Sequence, residues 1–311
     1  MNSNNGLVLY YHNHSFYCQK VIMALCEKRI PFTTNFIDIT KGEQYQPWFL
    51  KINPRGEVPV LKDGIKLIPD SVRIIDYLED NFSNGEHSRL IPSDLSIKQK
   101  VIQLRNEIDK LPVNAITMGS FFNSEFCSDL KYPFFIPTVR KYLRAGAEKS
   151  SSSLRQHAAN NPEIKDTLTK KAECQEEKHK IITEKKEYLK VLDQVNAILE
   201  KVESELKLKN GVPWLCCDQF TMADISLTIL LDRLSRVGLA NYFWTNGKRS
   251  NIEKYYQRVQ KRDSYRQAVP AVVTDLKYVV QSNAHFMIGL ITIMTVVVGS
   301  VLYFKRRIVY A

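Results

Sequence analysis

Asn53-Pro54-Arg55-Gly56-Glu57-Val58-Pro59-Val60-Leu61 decides how this chain folds. Asn-Pro and the following glycine are loop chemistry, and Val58 to Leu61 is an apolar run whose proline stands at the entrance of a strand, where the missing N–H is tolerated. Lys62-Asp63-Gly64 reads as a hairpin turn and Ile65 to Ile68 as the partner strand. Asp70-Ser71 then opens a helix bearing Val72, Ile74, Ile75, Tyr77 and Leu78. Upstream, Leu7 to Tyr11 is a buried-strand pattern, and His12-Asn13-His14-Ser15 is a polar turn into a helix through Val21, Ile22, Ala24 and Leu25. Phe32 to Ile39 reads as a second strand, Lys41-Gly42-Glu43 as a turn, and Gln44 to Lys51 as a short helix. The order βαβ, short helix, ββα spans residues 5–82 and marks an α+β domain.

Residues 83–92 are loop-like, with Gly85 and Pro92, and the pattern is helical over 93–283. Lys149 through Pro162 reads as a polar, mobile linker. Glu163 to Lys190 holds 15 charges in 28 residues, with Asp166/Lys170 and Glu176/Lys180 spaced to support a helix. That helix turns amphipathic from Tyr188 through Leu192, Val195, Leu199, Val202 and Leu206, which packs it into the domain. Its charged part is a solvated face or a surface for a protein partner or a membrane. Thr221 and Asp224 form a capping box with aspartate in the usual glutamate place. Asn251 to Val259 is a last amphipathic stretch.

The strand and helix order, with Val-Pro entering the third strand and Asp70-Ser71 at the expected distance, resembles the thioredoxin-like domain of the glutathione transferase superfamily. The resemblance implies a cis Val58-Pro59 bond and an all-α second domain, here lengthened by a helical insert at about 145–190. It also implies a glutathione site. Val58 would give main-chain hydrogen bonds to the cysteinyl part, Pro59 would set the bend, and Asp70, the Ser71 hydroxyl and the helix N-terminal amides would hold the γ-glutamyl group. Ser15 takes the place of the family's catalytic serine or cysteine, where its hydroxyl donates to the glutathione thiolate and lowers the thiol's pKa. The same serine before a helix is also an ordinary N-cap, and the two roles can coexist. Tyr17 and Cys18 fall inside the helix and are poorer donors; His12 and His14 read as loop residues. Glu57 departs from the Gln or Lys of many relatives, and an acidic side chain there would repel the glycine carboxylate of glutathione. Gly56 replaces a histidine of some classes.

Phe286 to Phe304 is nineteen residues without a charge, followed by the basic tail 305–311 with Lys305-Arg306-Arg307. As a helix it approaches about 30 Å, the hydrocarbon thickness of a bilayer. Its apolar residues cover every face, as in a membrane span rather than an amphipathic core helix. So close to the end of the chain, it reads as a tail anchor that leaves residues 1–285 in the cytosol. The short, moderately apolar span with a basic flank resembles anchors sent to the mitochondrial outer membrane, with peroxisomes second.

The formal net charge of +11 lies entirely in residues 83–311, because residues 1–82 balance nine basic against nine acidic side chains. It suits an anionic membrane surface. Nucleic acid is set aside, since no zinc spacing or aromatic-basic interleaving accompanies the charge. The six cysteines lack a framework spacing and fit a reducing compartment, and Cys216-Cys217 has no second pair for a metal.

The transferase-like domain, the insert and the anchor together resemble the ganglioside-induced differentiation-associated protein family. Gly56-Glu57-Val58-Pro59-Val60-Leu61 and Ile74-Ile75-Asp76-Tyr77-Leu78 fit it, and the likeness covers essentially the full length. It implies a mitochondrial outer-membrane protein that regulates network dynamics and fission, with the transferase-like domain as sensor or interaction module and homodimers expected. The alternative is a membrane-tethered glutathione transferase that conjugates lipophilic electrophiles through Ser15.

Overall fold

Leu7 and Leu9 alternate inward along β1 (Leu7–Tyr11), as a strand with one buried face requires. In the computed structural model, residues 6–83, 85–208 and 211–271 are described. β1 pairs in parallel with β2 (Phe32–Phe36), from Leu7↔Phe32 to Tyr11↔Phe36. A parallel pair needs a crossover, supplied by α1 (Phe16–Glu27). A 3₁₀ turn and α2 (Pro47–Leu50) follow, then β3 (Val60–Asp63), β4 (Lys66–Pro69) and α3 (Ser71–Asn81). Both later strands run antiparallel to their neighbours, and the sheet order is β2-β1-β3-β4. This is the expected thioredoxin-like arrangement. Two local readings change. β2 stops at Phe36, three residues short of the expected Ile39, and Ile37 makes one more bond to Tyr11 O at 2.8 Å before the chain turns away. The hairpin turn is Gly64-Ile65, since Asp63 already pairs with Lys66 and Gly64 takes φ 56°. Ile65 is the exposed tip, although its apolar character reads as strand.

The helical domain comprises α4 (Leu95–Asp109), α5 (Val113–Phe122), α6 (Pro137–Glu148), α7 (Ser150–Asn160), α8 (Lys165–Thr183), α9 (Lys185–Leu208), α10 (Met222–Arg236), α11 (Ala240–Phe243), α12 (Ser250–Val259) and α13 (Asp263–Ala268). Every residue of α10 from Met222 to Leu234 is buried, which makes it the axis of this half. The capping box at its start forms as expected. α1 packs on α3, α10 and α13; being covered on these sides, it buries even Lys20, whose ammonium meets Asp109 of α4 at 2.6 Å.

The segment expected as an insert differs from its sequence reading. Residues 150–160, expected to be a mobile linker, form α7, because Leu154 and Ala158 find Leu168 and Ala172 of α8 across a helical hairpin. The charged stretch is not one helix continuing to Leu206. It breaks at Glu184, whose backbone is extended, while Asn123 Nδ2 donates to the Ile182 carbonyl at 2.9 Å. Glu176 pairs with Arg155 of α7 at 3.0 Å rather than with Lys180. No helix among the described residues is long and apolar enough to cross a membrane; the expected span 286–304 and tail 305–311 lie outside the described residues.

Candidate functional site

Register brings the expected site residues to one end of the sheet. Tyr10 of β1 stands opposite Val60, and Val60 opposite Pro69. The turn after β1, the residues entering β3 and the residues leaving β4 therefore converge, which gathers His12 to Ser15, Val58-Pro59 and Asp70-Ser71.

The Val58-Pro59 bond is cis, and Pro59 is buried with Val58 half-buried beside it. Ser15 caps α1 with extended backbone, its Oγ accepting from Cys18 N at 3.4 Å. The N-cap reading therefore holds, and the hydroxyl keeps its proton for a second partner. Burial pushes the Cys18 thiol up to about 12, so it is an inert core thiol. A thiolate reagent at pH 8 is expected to label exposed Cys174 and leave Cys18 unmodified in the folded protein; rapid modification of Cys18, read by peptide mass, would contradict this.

Asp70 is the N-cap of α3 and sits at φ 77°, a backbone region rarely held by non-glycine residues and often found at binding sites. Its Oδ1 accepts from Val72 N at 2.8 Å and Arg73 N at 3.2 Å. Two of the amides expected to hold a ligand are thus already capped, which leaves the Ser71 amide and buried hydroxyl at the helix end. Gly56 takes φ 58°, and a Cβ there would stand 2.7 Å from the Tyr45 ring. Gly56→Ala is expected to cost about 2 kcal/mol through strain and overpacking, read as a lower urea midpoint; an unchanged midpoint would contradict that packing.

Four further residues belong to this end of the molecule and escape a reading of the sequence. Arg233 of α10 donates from Nη2 to His14 O at 2.8 Å, next to Ser15. It is buried, its Nε has no partner among the described residues, and burial pushes its pKa down to about 10. Asp232-Arg233 is a charged pair inside an apolar helix, and that was its available signal. Lys171 of α8 reaches Glu57 Oε1 at 2.8 Å and Arg55 O at 2.9 Å, while Arg55 itself pairs with Glu57 Oε2 at 2.9 Å. Tyr45 packs against the α7–α8 cluster, its ring 5.1 Å from that of His157 of α7 and tilted to it. Tyr142 of α6 adds a hydrogen bond to Thr40 O at 3.0 Å. The α7–α8 hairpin is therefore docked on the loop that leads to Val58. Nothing in the spacing of eight basic residues singles out Lys171. Among the described residues no His, Cys, Asp or Glu cluster could hold a metal.

Family models of the glutathione S-transferase N-terminal domain and C-terminal domain match residues 9–86 and 160–263. The human ganglioside-induced differentiation-associated protein 1-like 1 is 32% identical over 289 residues, 90% of this chain and 78% of the human one. The chain belongs to the ganglioside-induced differentiation-associated protein family. Among solved structures, the beta-etherase LigF of Sphingobium superposes with a TM-score of 0.58 at 21% identity, over 85% of this chain and 98% of that one. A glutathione S-transferase from Methylobacillus flagellatus, solved with glutathione bound, gives 0.53 at 19% identity over 85% and 100%. At these identities the two structures establish the fold alone. In the family's terms, helices α4 to α6 and nearly all of α7 lie between the two matched domains.

Proposed function

We propose that this member of the family is a tail-anchored protein of the mitochondrial outer membrane that regulates mitochondrial network dynamics and fission, and that its transferase-like domain is a glutathione-binding sensor module. The convergence of Ser15, cis Val58-Pro59 and Asp70-Ser71 at one sheet end carries the glutathione part. The residues fit that ligand. Val58 offers main-chain groups beside the cis bond, Ser71 offers an amide and hydroxyl, and Asp70 offers a carboxylate to the γ-glutamyl ammonium. The membrane part rests on the uncharged run 286–304 and on family membership. Cells lacking the protein are expected to show altered mitochondrial length, restored by the full chain and not by residues 1–283. Unchanged length in the null cells, or full rescue by the truncated chain, would overturn this reading. Homodimers are proposed as well, with exposed Ile65 and Leu67 at the β4 edge of the sheet as contacts.

A conjugating transferase is the second reading, and the Ser15 geometry favours it. An Oγ that accepts from an amide can still donate its own hydrogen to a thiolate. Conjugation of an electrophile by the wild type that is lost in Ser15→Ala supports it; activity unchanged in Ser15→Ala would remove it.

A further inference from the structure

Glu57 at the edge of the site reads from the sequence as a repulsive charge toward an anionic ligand. The structure reverses its sign. Glu57 lies between Arg55 at 2.9 Å and Lys171 at 2.8 Å, two cations against one carboxylate, so this edge is locally positive. A lysine ammonium has three N–H donors. Two of them go to Glu57 Oε1 and Arg55 O, and the side chain keeps 20% of its surface open to solvent. Lys171 is held there by its own helical hairpin, since Leu168 and Ala172 on either side of it are buried in the α7–α8 cluster.

We propose that Lys171, carried by α8, is a residue of the ligand site and holds the second carboxylate of a dicarboxylate peptide. This deepens the glutathione reading and rests on it. Glutathione is such a ligand: a γ-glutamyl carboxylate at one end, a glycine carboxylate at the other, and an extended spacer between. An extended tripeptide spans about 10 Å, roughly two strand spacings. With one end at Ser71, after β4, and its middle against Val58, before β3, a peptide that turns to follow the chain leading into β3 brings its far end to the residues before Val58. Those are Arg55 and Glu57, where Lys171 stands. The α7–α8 hairpin thereby completes the site, and ligand binding and hairpin docking are linked in both directions.

The test uses the full-length protein in detergent, with calorimetric titration of glutathione and of its glycine monoethyl ester, which keeps the γ-glutamyl and cysteinyl parts but lacks the second charge. The wild type is expected to prefer glutathione by about tenfold, the value of one partly exposed charge-assisted contact. Lys171→Met should reduce that preference below about twofold with the ester affinity unchanged, and Lys171→Arg should keep it. Glu57→Gln, which removes the opposing carboxylate, should tighten glutathione and leave the ester as it was. Equal wild-type affinity for the two ligands, or equal loss of both in Lys171→Met, overturns the proposal while the glutathione reading stands. Binding of neither ligand overturns both.

Discussion

Asp224→Asn is expected to lower the unfolding free energy by about 3 kcal/mol, because it leaves buried donors facing a donor. Asp224 is fully buried at the start of α10 and accepts four hydrogen bonds. Leu215 N at 2.8 Å and the Tyr255 hydroxyl at 2.9 Å meet Oδ1; Thr221 N at 2.9 Å and the Thr221 hydroxyl at 2.7 Å meet Oδ2. Whichever oxygen becomes the amide nitrogen, two donors lose their acceptor and point at N–H groups. Thr221→Ala, which loses the cap and keeps the carboxylate, is expected to cost about 1 kcal/mol. Urea unfolding followed by circular dichroism separates the two. An Asp224→Asn loss no larger than that of Thr221→Ala would show that Asp224 is a simple cap rather than the node joining α10, α12 and the residue 215 loop.

Glu79→Ala is expected to cost about 3–5 kcal/mol, the range for stranding a buried charge. Lys28 has no exposed surface and Glu79 almost none; their ion pair is 2.7 Å long. Lys28 also donates to Ser83 Oγ at 2.9 Å and Ser88 O at 2.8 Å, while Glu79 accepts from Leu90 N at 3.0 Å and Ile91 N at 3.2 Å. The pair thus fastens the connection between the two halves to α1 and α3. In the double variant Lys28→Met/Glu79→Leu, much of the loss should return, since an apolar pair of similar volume avoids the uncompensated charge. Recovery stays incomplete because the Leu90 and Ile91 amides lose their acceptor. A double variant as unstable as Glu79→Ala alone would show that the amide bonds, not the ion pair, carry the stability.

The N-terminal domain is legible in the sequence because its signals are local. A proline at a strand entrance, an Asp-Ser before an apolar helix and a serine before α1 each act within a few residues, and Ser15 takes the N-cap position that its place predicts; Thr221 and Asp224 of the helical domain are legible for the same reason. The α7–α8 hairpin is not legible to the same depth. Leu154 and Ala158 look like isolated apolar residues in a polar stretch until Leu168 and Ala172 fold back on them. Lys171 is chemically indistinguishable from Lys170 or Lys178; its partner Glu57 stands 114 residues away in sequence. Lys20 and Arg233 are buried for the same non-local reason, each covered by the opposite half of the molecule: Lys20 meets Asp109, and Arg233 meets His14 O. The misplaced hairpin turn is a smaller case, in which an apolar residue, Ile65, occupies the tip.

The most direct test is a calorimetric titration of glutathione into the wild-type protein and Ser71→Ala. The convergence of Ser15, Val58-Pro59 and Ser71 predicts saturable binding with a dissociation constant between about 10 μM and 1 mM, an affinity of roughly 4–7 kcal/mol. It also predicts weakening by about tenfold in Ser71→Ala, which keeps its fold. No binding at millimolar glutathione, or the same affinity in both proteins, would contradict a glutathione site at this end of the sheet.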